Sequence, residues 1–206
     1  MFDNCLDAEN EFEKCWNNSN YTAIKLDDVD VNRTLSHYIA QKPVHLTKTM
    51  LWDMERKKSW NPGAYIPYVV KAGSAKAWGK YPCPKTGGEI FVRCSAQKKW
   101  LDPNEYDEVY EEVYVDEKKQ LITFLGVTQL PGDVKEICPT QPLFHVQHGA
   151  AGDEDHPKNT WRIVHLTEHK NAHLIDQLKK MDDSKELPGF IQAYIENDLQ
   201  IRIQKK

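Results

Sequence analysis

The middle of the chain alternates hydrophobic and polar residues in short segments, a pattern typical of β-strands. Successive segments between residues 65 and 167 are rich in β-branched and aromatic residues. They are YIPYVVKAGSAKAW, GEIFVRCSAQKKW, DEVYEEVYVD, QLITFLGVTQL, PLFHVQHGAA and NTWRIVHLT. Turn sequences such as PKTGG, DPNE and PGD separate them, at spacings short enough for hairpins. The pattern predicts an antiparallel sheet rather than βαβ units.

Helical spacing appears on both sides of these strands. Within residues 41–60, Met50, Leu51 and Met54 form an apolar stripe on a helix that Pro62 ends. Near the end of the chain, NAHLIDQLKKM and FIQAYIENDLQIRI also place apolar residues at helical spacing. We therefore expect helices before the sheet and a long amphipathic helix at the end of the chain.

The segment VNRTLSHYIA at residues 31–40 allows two interpretations. As a strand, it places Val31, Leu35 and Ile39 on one face. As a helix capped by Asp30, it aligns Val31, Leu35 and Tyr38. We favour the strand, because the next segment then supplies a helix that begins after a proline.

The composition is that of an ordinary globular protein. The 206 residues are most simply one domain, because a chain of this length buries a substantial core without dividing. Hydrophobic residues make up 40% and charged residues 28% of the chain, and the net charge is only −4. Acidic and basic residues are mixed, which gives no basic surface for nucleic acid, so we expect no nucleic-acid partner.

The sequence also bears on the compartment. Its opening, MFDNCLDAENEFEKCW, is too polar for a secretory signal, and no apolar run approaches membrane-spanning length. The five cysteines lack CxxC spacing and indicate free thiols in a reducing compartment. We therefore expect a cytoplasmic protein with no integral membrane association.

The order of elements resembles a known superfamily. The similarity is carried by LWDMERKKSWNPGAYIPYVV, by the strand GEIFVRCSAQKKW and by the closing amphipathic helix. Together they resemble the helix-grip fold of the START and Bet v 1-like superfamily, which also contains bacterial polyketide aromatase/cyclases. The alternative is the cone-shaped fold of nuclear transport factor 2, and the strong C-terminal helix argues against it.

The resemblance implies an α+β protein whose curved antiparallel sheet wraps around a long C-terminal helix, with an internal cavity between them. It implies a single helix-grip domain at residues 31–206, after an acidic N-terminal extension at residues 1–30. The partner implied is an apolar or aromatic small molecule. Two segments depart from the pattern, the extension and residues 169–189, and either could border the cavity mouth or a homodimer contact.

Histidines are concentrated between residues 144 and 173. His148 and His165 can share one sheet face, where a histidine could bind a ligand or act as a general base. The competing interpretation is that backbone or water satisfies their nitrogens. We predict His148 as a catalytic residue. His169 and His173 have the i,i+4 spacing of a helical metal site, but no third ligand is evident, so we expect no metal.

Two neighbouring strands carry charged residues among apolar ones. Arg93 lies in mid-strand, and burial would require a carboxylate or an anionic ligand beside it. On the next strand, Glu111 shares a face with valines. Glu112 shares the opposite face with Tyr110 and Tyr114. Alternation does not show which face is concave, and we predict Glu112 as catalytic and Arg93 and Tyr110 as ligand-binding.

A third group completes the predicted ligand-binding set. Arg162 could hold a phenol or a carboxylate, with Trp161 and Trp78 as an aromatic wall. The sequence contains no P-loop, no GxGxxG after a strand and no GxSxG. We therefore expect no cofactor.

The resemblance implies small-molecule binding in an internal cavity, and we expect activity as a polyketide cyclase- or aromatase-like enzyme. The alternative is a non-catalytic carrier of a lipid or other small molecule, and a third hypothesis is an interaction module with a vestigial cavity. Convergent ionisable groups with a perturbed pKa would favour the enzyme. A cavity with only one or two hydroxyls would favour the carrier.

Overall fold

The computed structural model describes residues 1–132, 136–183 and 186–206. Its helices are α1 (Cys5–Trp16), α2 (Val31–Leu35), α3 (Lys48–Trp60), α4 (Pro62–Tyr65), α5 (Ala172–Asp183) and α6 (Gly189–Asn197). Its strands are β1 (Thr22–Lys25), β2 (Val29–Asp30), β3 (Tyr38–Ala40), β4 (Lys76–Cys83), β5 (Gly88–Lys98), β6 (Tyr106–Asp116), β7 (Leu121–Val127), β8 (Phe144–Gly152), β9 (Pro157–His165) and β10 (Ile203–Lys205).

The main sheet follows the alternating segments of the sequence. Strands β4 to β9 pair with their sequence neighbours, and the order across the sheet is β1-β9-β8-β7-β6-β5-β4, with β2 also beside β9. Every pair is antiparallel, which confirms the predicted sheet. The first predicted strand was too long at its start, because residues 62–65 form α4 and β4 begins only at Lys76.

The two faces of the sheet bury different helices. Helices α3 and α6 pack on what we call the inner face, and α1 packs on the outer face. Strand residues of the inner-face core include Phe91, Val113, Phe124, Val146 and Ile163. The inner face of the sheet packs against the C-terminal helix α6, as the predicted fold requires. That helix is shorter than predicted, because Gln200 adopts a positive φ of 55° and Ile203–Lys205 then pairs with β3.

Residues 1–30 pack on the rest of the chain, a point that the sequence left open. Phe12 of α1 is fully buried against the outer face, in a cluster that includes Ile90 and Val164. After α1, the chain enters the sheet as β1 and pairs with β9. The acidic segment therefore supplies one helical layer and two short strands.

The strand expected at residues 31–40 was wrong over its first half. The Asp30 side chain accepts a hydrogen bond of 3.0 Å from the backbone N–H of Arg33, which caps α2. Val31 and Leu35, four residues apart, are both buried by that helix. Only Tyr38–Ala40 is a strand, and it pairs with β10. The local cap, rather than strand alternation, determines the start of this segment.

Replacing Asp30 by alanine is expected to lower the free energy of unfolding by about 1 kcal/mol, because α2 loses its N-cap. Asp30→Asn keeps an oxygen at the same position and should retain most of the stability. Urea denaturation of the two variants measures the difference. Equal losses in both would show that the cap does not stabilise α2.

Within residues 1–132, 136–183 and 186–206, no helix is both long and apolar enough to cross a membrane.

Candidate functional site

Helix α3 carries two ionisable side chains into the core. Glu55 and Lys58 lie four and seven residues after the buried Leu51, on the stripe that faces the sheet. Glu55 is 0% exposed and Lys58 is 4% exposed. Buried charges of this kind need partners, because removal from water destabilises an isolated ion.

The partners come from each other and from two strands. The Lys58 ammonium lies 2.7 Å from the Glu55 carboxylate and 3.0 Å from Nδ1 of His148 on β8. Asn159 of β9 donates a hydrogen bond of 2.7 Å to the other Glu55 oxygen. Lys58 Nζ also lies 3.7 Å from the ring centroid of Phe190 on α6. We call Glu55, Lys58 and His148 the inner cluster.

The environment shifts the pKa of each member of the inner cluster. Burial raises the pKa of Glu55, but the charges of Lys58 and His148 outweigh burial and lower it to about 2. Burial lowers the pKa of Lys58, against the attraction of Glu55. Burial and the nearby Lys58 charge lower the pKa of His148 to about 4. At neutral pH the cluster therefore contains a carboxylate and a neutral imidazole.

A second buried ion pair lies beside the inner cluster. Arg93 of β5 donates a 2.6 Å hydrogen bond to Glu111 on β6, and the guanidinium lies over the Phe124 ring. Its NH1 group also donates to the carbonyl oxygen of Ser59 at 3.0 Å and to that of Lys58 at 3.4 Å. This pair keeps the local charge balanced and ties the end of α3 to the sheet.

A row of rings leads along the inner face from the cluster. His148 stacks on Trp161, with centroids 5.2 Å apart and an angle of 24° between the planes. Trp161 lies 6.2 Å from Trp100, and Trp100 meets His165 edge-on at 5.5 Å. Phe190 contacts His148 from α6 at 5.8 Å. The surroundings of His148 are therefore aromatic as well as charged.

Two pockets border these elements. One, of about 190 Å³, lies at the far end of the aromatic row, and its lining includes Trp100, Pro142, His165 and Leu174. We call it the loop-end pocket. The other, an open groove of about 400 Å³, lies between α3 and strands β4 and β5, and its lining includes Trp60, Tyr65 and Phe91. The loop-end pocket is the one that shares rings with the row leading to His148.

The predicted site residues divide between the two faces. His148, Arg93 and Trp161 lie on the inner face, near the inner cluster. Tyr110, Glu112, Arg162 and Trp78 lie on the outer face, because alternation turns each of them away from α3 and α6. The structure therefore does not bring the two predicted catalytic residues, His148 and Glu112, together.

The outer-face residues have partners of their own. Glu112 accepts a hydrogen bond from the Tyr114 hydroxyl at 2.6 Å and lies 3.1 Å from the amino group of Met1. Arg162 donates to Glu13 of α1 at 2.6 Å and lies over the Trp16 ring. These groups attach residues 1–16 to the sheet.

The other two predicted residues on the outer face, Tyr110 and Trp78, lie apart from each other. Tyr110 packs with Val92, Leu130 and Ile137. Trp78 is 38% exposed on β4. Neither residue lines the loop-end pocket or the open groove. No common aromatic wall is therefore formed.

Sequence reasoning missed Glu55 and Lys58. They lie in the charged run DMERKK, which is usually a solvated helix face. Their spacing from Leu51 was the available signal, because i+4 and i+7 positions continue a buried stripe. Their opposite charges at i and i+3 were consistent with pairing in either environment.

The helical metal spacing of His169 and His173 does not form, because α5 begins only at Ala172 and His169 precedes it. In the part of the chain that the structure describes, no group of three or more His, Cys, Asp or Glu side chains is placed to hold a metal ion.

Solved structures are similar to this chain at low sequence identity. Truncated norcoclaurine synthase from Thalictrum flavum has a TM-score of 0.47 at 10% identity, over 89% of this chain and 98% of that one. The Zhui aromatase/cyclase from Streptomyces sp. R1128 has a TM-score of 0.52 at 8% identity, over 85% of this chain and 95% of that one. The chain has the helix-grip fold.

The fold class predicted from the sequence is thus confirmed. No protein-family model matches the sequence, and no curated protein matches it. At 8% identity to Zhui, the comparison concerns the helix grip alone. What this helix-grip protein binds must be argued from its own side chains.

Proposed function

We propose that the protein binds an apolar or aromatic small molecule on the inner side of its helix grip and catalyses a proton transfer there. A cyclase- or aromatase-like reaction on a polyketide-like substrate is the class we favour. The inner cluster is the observation that supports this proposal. Three ionisable groups converge at hydrogen-bonding distances, each with a shifted pKa, which is the pattern common at catalytic sites.

The members of the cluster suit different tasks. Nδ1 of neutral His148 accepts a hydrogen bond from the Lys58 ammonium, so Nε2 carries the ring proton and can donate it to a bound molecule while Nδ1 takes one from Lys58. The Lys58 ammonium, with its lowered pKa, can donate a proton or stabilise a developing oxyanion. The Glu55 carboxylate orients both partners and balances the charge of Lys58. The rings of Trp161 and Phe190 supply an apolar surface for an aromatic substrate.

One observation favours the carrier as a second candidate. The inner cluster is closed on itself, since Lys58 has partners in Glu55 and His148 and the His148 residue is only 9% exposed. A carrier needs such a network only to hold α3 on the sheet. The two functions differ in whether His148 is required for conversion of the bound molecule.

Native mass spectrometry of the freshly purified protein, followed by extraction, is expected to show a bound apolar or aromatic molecule. Its turnover is then compared in the wild type and in His148→Phe, which keeps a ring beside Trp161 but cannot transfer a proton. We expect conversion to fall by about 100-fold or more in His148→Phe.

The matched control is His156→Phe, because His156 lies on the exposed loop between β8 and β9. This substitution should leave conversion unchanged. Binding without conversion in the wild type would establish the carrier instead. Both functions would be rejected if the mass is that of the protein without a bound molecule and if aromatic polyketide-like compounds are neither bound nor converted.

A further inference from the structure

The loop-end pocket is built from four separate parts of the chain. Trp100 lies in the hairpin between β5 and β6, Pro142 precedes β8, and Leu174 belongs to α5. His165, the last residue of β9, lines the same pocket. The volume of about 190 Å³ equals the share of roughly six water molecules in the liquid, at about 30 Å³ each. Such a pocket fits a ligand smaller than most drug-sized molecules.

His165 is an exception among the buried polar groups. It is 1% exposed, and among the described residues neither ring nitrogen has a hydrogen-bond partner. Its neighbours are the rings of Trp100 and Phe144, at 5.5 and 5.6 Å. Buried polar atoms in native proteins are almost always paired, so an unpaired imidazole beside a pocket indicates a missing partner. The indole N–H of Trp161, in the same aromatic row, is unpaired in the described structure as well.

The unpaired groups restrict the chemistry of that partner. Burial lowers the pKa of His165 to about 4, so the ring is neutral near pH 7 and has one N–H donor and one acceptor nitrogen. A hydroxyl group both donates and accepts, and can therefore pair with either ring nitrogen of His165. A carboxylate pairs only with the N–H, and an ammonium only with the acceptor nitrogen. The burial that keeps His165 neutral also disfavours a charged ligand.

We propose that the loop-end pocket binds a small phenol, with the aromatic ring against Trp100 and the hydroxyl hydrogen-bonded to His165. The inference rests on one part of the proposed function, namely that a small molecule binds on the inner side of the sheet. It adds that His165 selects hydroxylated rings over hydrocarbon rings of the same shape. It does not depend on catalysis by the inner cluster.

The experiment compares 4-methylphenol with 1,4-dimethylbenzene, which have the same shape and differ in one hydroxyl. Calorimetric titration of the wild type is expected to show binding of the phenol about ten-fold or more tighter than the hydrocarbon. His165→Phe keeps a ring in the wall and removes both nitrogens, so the preference should fall to about two-fold or less. His145→Phe is the matched control, because His145 is a buried β8 histidine on the outer face.

A second readout uses only the wild-type protein, so that the test can still be made if the His165→Phe variant misfolds. The side-chain ¹⁵N resonances of His165 should shift when 4-methylphenol is added, and those of His145 should not. Equal affinity for both compounds, or an unchanged preference in His165→Phe, overturns the phenol inference and leaves the proposed function standing. Binding of neither compound also overturns it, including the case in which water fills the pocket. The proposed function is decided separately, by the co-purified molecule and by His148→Phe.

Discussion

Replacing Lys58 by methionine is expected to lower the free energy of unfolding by about 3–5 kcal/mol. The substitution removes the cation 2.7 Å from a carboxylate that is 0% exposed. Glu55 would keep the hydrogen bond from Asn159, but its charge would lack the partner that offsets desolvation. Urea denaturation at pH 7 measures the loss.

The chain offers a matched control in α1. Lys14 pairs with Glu11 at i,i+3, the same spacing as Lys58 with Glu55, but the Lys14 side chain is 76% exposed. Lys14→Met should therefore leave the stability nearly unchanged. Removing both charges, in Glu55→Leu with Lys58→Met, should restore part of the loss because no unpaired ion is left. A double variant less stable than Lys58→Met would show that the unpaired Glu55 charge is not the source of the loss.

Acidification from pH 7 to pH 4 is expected to lower the stability by about 3 kcal/mol for each of His148 and His165. Their pKa values are lowered from 6.5 to about 4 in the folded protein. Between these values the unfolded chain binds a proton that the folded chain does not. Stability is therefore full above about pH 6.5 and is lost progressively as the pH falls towards 4.

The charged groups around the two histidines differ. His148 faces Lys58 and Arg93, which lower its pKa, and Glu55, which raises it, whereas burial alone lowers the pKa of His165. Glu55 acts in a separate window, because a pKa of about 2 means that its contribution is lost only below about pH 4.5.

Urea denaturation at a series of pH values measures these contributions. His165→Phe should remove the part of the pH dependence that belongs to His165, and the exposed His156→Phe should remove none. Wild-type stability that is constant from pH 7 to pH 4 would contradict the prediction.

The sequence pattern was sufficient to predict the sheet, because the alternation of apolar and polar residues in a strand depends only on residues close in sequence. The apolar positions of β5 to β9 define two faces, and the turn sequences between them define hairpins. The pattern does not predict which face packs against which helix, because both faces of the sheet are apolar when helices cover both. Glu111 and Glu112 illustrate this, since each lies among apolar neighbours and the structure assigns them to opposite helical layers.

The candidate site was harder to predict because it depends on contacts between distant segments. His148 was identified from its strand position. Glu55 and Lys58 come within reach of it only when α3 crosses β8, over about 90 residues of sequence separation. The local pattern around them, a run of charged residues in a helix, is the same for a solvated face and for a buried cluster.

The two hydrogen bonds from Arg93 to the end of α3 have a consequence for the motions of the protein. They join the carbonyl oxygens of Lys58 and Ser59 to the middle of β5. Opening α3 from the sheet would therefore expose a guanidinium, its Glu111 partner and the inner cluster together. The amide hydrogens in the last turn of α3 should exchange with solvent as slowly as those of the central strands, as one cooperative unit.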